Sequence, residues 1–258
     1  MAQTGQLTYS ALRLPSKSSV TLVRIAIIVT ILVVWEATAA SGLLFRDVVP
    51  SLVVIVRALG HLLVEGEFYW HLGVTAGEVG TALLIGGLAG LAVGIALGAN
   101  RFLSQAFEHF LYYLGPTPKI IFFPVMIMWF GVGPGSKVAM GTISCFFPIA
   151  LSVAAGMRQI DQVLIRVGRS FRLSTRQMVT KIYLPAMREP IVNGVRLGLG
   201  VAVIGTLLAE TRLSNRGLGF QIMDAYNTFD MPRMYSVLLV LFVIAIGANA
   251  LVGRASRG

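Results

Sequence analysis

Glu36, Glu78 and Glu210 each stand in, or at the end of, a long apolar run. A carboxylate there can line a solute path, work a gate, or serve structure through an ion pair. Glu36, beside Trp35, reads as structural, with Arg196 or another buried base as partner. Glu78 and Glu210 are candidates for the path or gate. Phe122, Met126, Trp129 and Phe146 join them, because aromatic residues among Pro116, Pro118, Pro124 and Pro148 suit a gate at a kinked helix. Catalysis has no support. His61, His71 and His109 are scattered without metal-ligand spacing, and no G-x-x-x-x-G-K-[ST] stretch is present. "GPGSK" at Gly133 to Lys137 lacks that spacing and does not read as a phosphate-binding loop, and no cofactor or metal is expected. The single cysteine, Cys145, excludes an internal disulfide.

A second chemistry-bearing stretch is "DQVLIRVGRSFRLSTRQMVTKIYLP", Asp161 to Pro185, a basic amphipathic island between apolar segments. Asp161 can cap a first helix, in which Leu164, Val167 and Phe171, with Gly168, share a side. Ser174 and Gln177 have the form of a capping box and start a second helix. Met178, Val179 and Ile182 share its face, and Pro185 ends it. Two short helices set at an angle make a compact knob, which could rest on anionic headgroups or dock a soluble partner.

The elements that must position these residues are membrane spans. The chain is 56% hydrophobic and 12% charged over 258 residues, against roughly 25% charged in soluble domains. Six apolar runs approach the ~20 residues needed for a crossing: about Ile25–Leu44, Val79–Ala99, Leu111–Phe130, Val138–Gly156, Ile191–Ala209 and Val237–Val252. The first reads as a retained span and not as a removed signal peptide. Leu52, Ile55, Val56, Leu59, Leu62 and Leu63 recur at helical spacing and predict a helix lying in the interface. Tyr69 and Trp70 read as interfacial anchors. "RLSNRGLGFQIMDAYNTFDMPRM" is a loop with a short helix or re-entrant turn.

Gly86, Gly90, Gly94 and Gly98 form one smooth helix face that admits another backbone. The net charge of +10 fits basic residues held on one side of a membrane better than nucleic-acid binding. Thirteen lysines and arginines fall on the side of the termini, from Arg13 to Arg257, seven of them between Arg158 and Arg188. Six fall opposite: Arg46, Arg57, Lys137, Arg212, Arg216 and Arg233. That bias predicts cytoplasmic termini and a cytoplasmic knob.

"GRSFRLSTRQMVTKIYLP" resembles the cytoplasmic EAA loop of permease subunits of bacterial binding-protein-dependent ABC importers. "PKIIFFPVMIMWFGVGPGSK", "FFPIALSVAAGMRQID" and "GVRLGLGVAVIGTLLAE" are similar to the branch serving nitrate, sulfonate, taurine and related solutes. The resemblance runs collinearly from about Trp35 to the C-terminus. It implies an all-α ABC importer type I permease fold of about six transmembrane helices: a cytoplasmic tail over 1–24 and a transmembrane domain over 25–258, with a coupling loop at about 158–188. It also implies a homodimer in the bacterial inner membrane, two cytoplasmic ATPase subunits that bind ATP and Mg, and a periplasmic solute-binding protein.

In that family the loop inserts a coupling helix into the ATPase. Arg169, Ser170, Phe171, Ser174, Gln177, Leu184 and Pro185 carry over, and Leu173 lies between them. The family pattern has Glu-Ala-Ala where this chain has Arg166-Val167-Gly168, and a glycine where it has Arg172. Glycine eases the turn between the helices, so Arg172 puts the usual turn geometry in question, while Arg166 implies an acidic groove opposite. Relatives that handle small anions place a basic residue at Glu78. The carboxylate therefore points toward an aromatic acid or nitrogen heterocycle. An energy-independent channel or secondary carrier is the alternative, and it leaves the knob unexplained. A membrane-embedded enzyme would need convergent acid–base residues that the sequence lacks.

Overall fold

The computed structural model describes residues 17–42 and 48–254. The tail expected over 1–24 falls mostly outside that set, as do Arg13, Leu44, Arg46 and Arg257. The chain divides into two compact units, Met1–Ile55 and Val56–Gly258.

In the first unit, helix α1 (Lys17–Ser41) covers the first expected span and starts earlier. Trp35 Nε1 donates to the Pro50 carbonyl at 3.1 Å, and Glu36 Oε2 accepts the Leu52 N–H at 2.9 Å. Leu52 opens α2 (Leu52–Leu62), so Glu36 satisfies one of the donors a helix start leaves orphaned. The structural role expected of Glu36 is therefore a cap. Arg196, suggested as its partner, instead donates Nε to Asn249 Oδ1 at 3.0 Å. With 11 residues, α2 is about half the length a crossing requires.

The second unit continues with α3 (Gly66–Ala99), α4 (Arg101–Leu114), a 3₁₀ turn (Lys119–Phe122), α5 (Phe123–Phe130) and α6 (Pro134–Arg158). Then come α7 (Gln162–Ser170), α8 (Thr175–Met178), a π-helical segment (Val179–Tyr183) and α9 (Leu184–Ala186). Finally α10 (Arg188–Glu210), α11 (Leu218–Asn227) and α12 (Met231–Arg254) complete it. Among the described residues, α1, α3, α6, α10 and α12 are long and apolar enough to cross a membrane. A sixth crossing exists only as α4 with the segment Lys119–Phe130, bent by 93°.

The continuous third span expected over Leu111–Phe130 is thus broken. Pro116 and Pro118 each lack a backbone donor and disfavour helix in the residue before them. The helix restarts at Lys119, and Pro124 sits harmlessly in the first turn of α5. Asn100 Oδ1 caps the other end of the bent pair by accepting from Phe102 and Leu103.

The helix α3 is longer than its expected span because a polar stretch continues the same buried stripe. Phe68, His71, Thr75, Glu78, Ala82, Gly86, Gly90 and Gly94 recur three or four residues apart and are all buried. The glycine row meets the α6 backbone directly. Built Cβ atoms at Gly86, Gly90 and Gly94 would stand 2.7, 2.9 and 2.6 Å from the carbonyl oxygens of Thr142, Phe146 and Ala150. On its other side α6 packs against α10, where Gly198 faces Ile149 and Gly205 faces Ser144. The three helices enclose a core of Val79, Cys145, Ile149, Val153 and Ala202.

Gly94→Ala is expected to cost about 1–3 kcal/mol, the usual range for overpacking, because its Cβ would also stand 2.7 Å from Val153 Cβ. Gly80→Ala meets nothing within 4 Å and is the control. Equal melting temperatures for the two variants in detergent would refute the close approach.

Candidate functional site

The knob forms as a pair of capped helices. Asp161 Oδ1 accepts the Val163 N–H at 2.8 Å at the start of α7. At the second start Ser174 N–H donates to Gln177 Oε1 at 2.9 Å, and Gln177 N–H donates to Ser174 Oγ at 3.4 Å. That reciprocal pair is the capping box read from the sequence. Between them Arg172 adopts φ +50°, so the tight turn forms with an arginine in the left-handed region where glycine is favoured. The turn closes with Leu173 N–H donating to Gly168 O at 3.1 Å.

Gly168 is the point where the two helices touch. A Cβ there would stand 2.4 Å from Ile182 Cδ1 and 2.6 Å from Met178 Sδ. The buried side of α7 is therefore Ile165 and Gly168, while Val163, Leu164, Val167 and Phe171 remain exposed, Phe171 at 77%. Arg166, Arg169, Ser170 and Arg172 are also exposed. The face shared by Met178, Val179 and Ile182 is split, with Met178 buried and Val179 exposed.

Pro185 does not end the second helix. Its ring cannot accept an ordinary α-helical turn beneath it, and the backbone widens to a π segment over Val179–Tyr183 before passing through Leu184 and Pro185. Met187 N–H donates to Tyr183 O at 2.9 Å, and α10 follows at once. A single turn residue, Met187 (φ −93°, ψ 2°), separates the end of the knob from α10. Just before the knob the end of α6 is tied to α4, where Arg158 grips Glu108 with Nη2 to Oε1 at 2.6 Å and Nη1 to Oε2.

A buried polar cluster occupies the opposite end of the core. The first three amides of the turn into α11 are each taken by a remote side chain. Gly217 N–H donates to His71 Nδ1 at 2.9 Å, Leu218 N–H to Thr75 Oγ1 at 2.8 Å, and Gly219 N–H to Glu210 Oε2 at 2.7 Å. Thr75 Oγ1 in turn donates to Glu210 Oε1 at 2.7 Å. Lys137, 1% exposed, donates to the carbonyls of Val132 and Leu213. Both oxygens of Glu210 are thus held by protein donors. Glu78 Oε2 is buried without a protein hydrogen-bond partner, and Glu78 borders a small cavity with Gly73, Gly77 and Arg216.

Of the remaining gate candidates only Phe122 and Met126 share a cluster. Phe122 and Met126 pack with Phe123, Met140 and Ala209, Phe146 lies edge-on to Phe147, and Trp129 is 72% exposed. Sequence reading passes over His71 and Thr75. Their signal is helical spacing, because they continue the Glu78–Ala82–Gly86 stripe toward the N-terminus of α3. It also passes over Lys119, a cation inside an apolar run and directly after Pro118.

Residues 83–257 match the family model for the inner membrane component of binding-protein-dependent transport systems. The chain belongs to that family. The permease is 29% identical over 83% of its length, and 78% of the relative's, to the putative aliphatic sulfonates transport permease protein SsuC of Bacillus subtilis. It is 28% identical to the taurine transport system permease protein TauC of Escherichia coli, covering 94% of this chain and 91% of that one. A solved structure of the MetNI methionine ABC transporter in inward-facing form aligns with a TM-score of 0.61, covering 75% of this chain and 98% of that one. At 21% identity that likeness shows a shared fold. The permease is a multi-pass transmembrane subunit of an ABC importer that works with a binding protein. Its family does transport and not catalysis.

Proposed function

We propose that the chain works as a homodimer, takes solute from a periplasmic binding protein, and couples to two cytoplasmic ATPase subunits through the knob at 158–188. The observation that carries this reading is the exposed apolar face of α7, ringed by Arg166, Arg169 and Arg172 and joined through the π segment to α10. An apolar ridge rimmed by cations suits an ATPase groove with apolar walls and acidic edges. Closure of the ATPases on nucleotide would draw two knobs together and tilt α10, opening the path to the other side. Both termini lie in the cytoplasm on this reading. Arg101, Arg158, Arg188 and Arg254 sit at helix ends toward the knob, as a cytoplasmic positive bias requires.

Glu78, with an oxygen facing no protein donor, is the better path residue of the two buried acids, and Glu210 holds α11 in place. Trp129, exposed on α5, and Phe122, Met126 and Phe146 serve the gate only where a second copy closes against α5. The solute is a small organic anion of sulfonate or carboxylate type.

The test is co-expression with a candidate ATPase and the cognate binding protein. Solute-stimulated ATP hydrolysis should require residues 161–185, and uptake that survives ATP depletion would sink the reading. Within that assay Arg166→Glu should weaken ATPase association about ten-fold, the scale of one lost charge contact at an interface. Undiminished co-purification would show that Arg166 faces no acidic groove.

A further inference from the structure

A cavity of about 510 Å³ lies in the bend of the broken third span, between the 115–120 turn, the middle of α6 and the C-terminal half of α10. Its walls are mostly apolar, from Pro116, Pro148, Leu151 and Ile204, with Tyr112, Thr117 and Ser144 as hydroxyl-bearing exceptions. One charge enters it. Lys119 donates Nζ to the Gly115 carbonyl, and its ammonium lies 5.1 Å from the centroid of the Phe147 ring. Among the described residues no carboxylate stands within ion-pairing distance of that ammonium.

The depth of this cation makes it unusual. Phe147 is one residue past the midpoint of the 25-residue α6, so it lies roughly 18 Å from either end of that helix at 1.5 Å per residue. A lysine at that depth without a counter-charge is costly, and such residues mark solute or ion pathways. The Gly115 carbonyl takes one donor and the Phe147 face offers a soft contact, which leaves an ammonium proton for a ligand. Lipid phosphate sits at the ends of spans and is too far away to provide the counter-charge.

We propose that this cavity is an anion subsite on the transport path, in which Lys119 holds the sulfonate or carboxylate of a monovalent organic anion. The apolar walls receive the body of the solute, aromatic or short aliphatic. Its volume falls within the range of small-molecule sites. A small inorganic anion would lose its hydration there and find a single charged donor in return. Ser144 spends its proton on the Met140 carbonyl and so adds no obligatory donor. The inference rests on the importer reading for its direction of transport and sharpens it to a class of solute.

The experiment uses the full chain in phosphatidylcholine nanodiscs, titrated by calorimetry with benzenesulfonate and with benzenesulfonamide, which has the same shape and no charge at neutral pH. Wild-type protein should prefer the sulfonate about ten-fold or more, the scale of a charge-assisted hydrogen bond. That preference should vanish in Lys119→Gln and persist in Lys119→Arg. No sulfonate preference in the wild type, or an undiminished one in Lys119→Gln, overturns the proposal; the wild-type comparison stands even if a variant fails to fold. Competition by phosphatidylglycerol in a parallel set of nanodiscs would assign the site to lipid and overturn it as well. ATPase association is measured on the same preparations. Loss of anion preference with association intact removes this inference alone, whereas loss of association removes the importer reading.

Discussion

Phe171→Asp is expected to uncouple the permease from its ATPase while leaving the fold of the permease intact. Phe171 is 77% exposed at the end of α7, and its side chain supplies nothing to the contact between the knob helices, which rests on Gly168, Met178 and Ile182. An exposed aromatic at the tip of a rigid, capped turn is the kind of anchor that dominates an interface, with truncation costing about 2 kcal/mol or more. Aspartate adds a buried charge in the complex, so association should fall by at least roughly 30-fold, and transport with it. The check is paired. Co-purification with the ATPase and solute-stimulated hydrolysis should both drop, and the melting temperature of the isolated permease should stay within about 2 °C, as surface substitutions do. Normal hydrolysis would mean that the α7 face docks nothing. A large fall in melting temperature would mean that Phe171 is structural.

What made the knob legible in sequence was its local chemistry. Asp161, Ser174 and Gln177 act through hydrogen bonds to amides two or three residues away, so residue type and spacing contain the whole interaction. The glycine row was legible for a related reason, since a four-residue repeat of the smallest residue has few other uses in an apolar helix. Three features were not legible. The passage of helix through Pro185 depends on a π segment placed by the packing of Met178 and Ile182 against Gly168, a contact across a turn. The break at Leu114 depends on how two prolines resolve together, as a kink or as a restart, and the sequence permits either. The pairing of His71 and Thr75 with Glu210 and the start of α11 joins residues more than 130 positions apart, for which no spacing rule exists. The left-handed turn at Arg172 shows the same limit in reverse. A residue that disfavours the turn locally is held in it by the two caps and the Gly168 contact on either side.

The largest loss of stability is expected from Glu210→Ala. Glu210 is 1% exposed, and its two oxygens accept from the Thr75 hydroxyl and the Gly219 amide, with Lys137 and Arg216 supplying positive charge around it and Glu78. Removing the carboxylate leaves one hydroxyl and one amide without their acceptor and takes from the buried Lys137 one of its two neighbouring acids, Glu78 being the other. Breaking a buried charged arrangement from one side costs about 3–5 kcal/mol, or roughly 10 °C in melting temperature for a domain of this size. Glu210→Gln keeps an acceptor for one of the two donors and should lose about half as much. The damage should be directional. With the Gly219 amide freed and the Thr75 hydroxyl released from its acceptor, the start of α11 should become open to hydrogen exchange, while the α3–α6 glycine contact stays protected. Glu78→Gln separates the two acids, because Glu78 Oε2 accepts nothing from the protein and its replacement removes no hydrogen bond at that oxygen. A Glu210→Ala protein that melts with the wild type, or a Glu78→Gln protein that falls as far as it, would mean that the clasp on α11 is not what holds this end of the core.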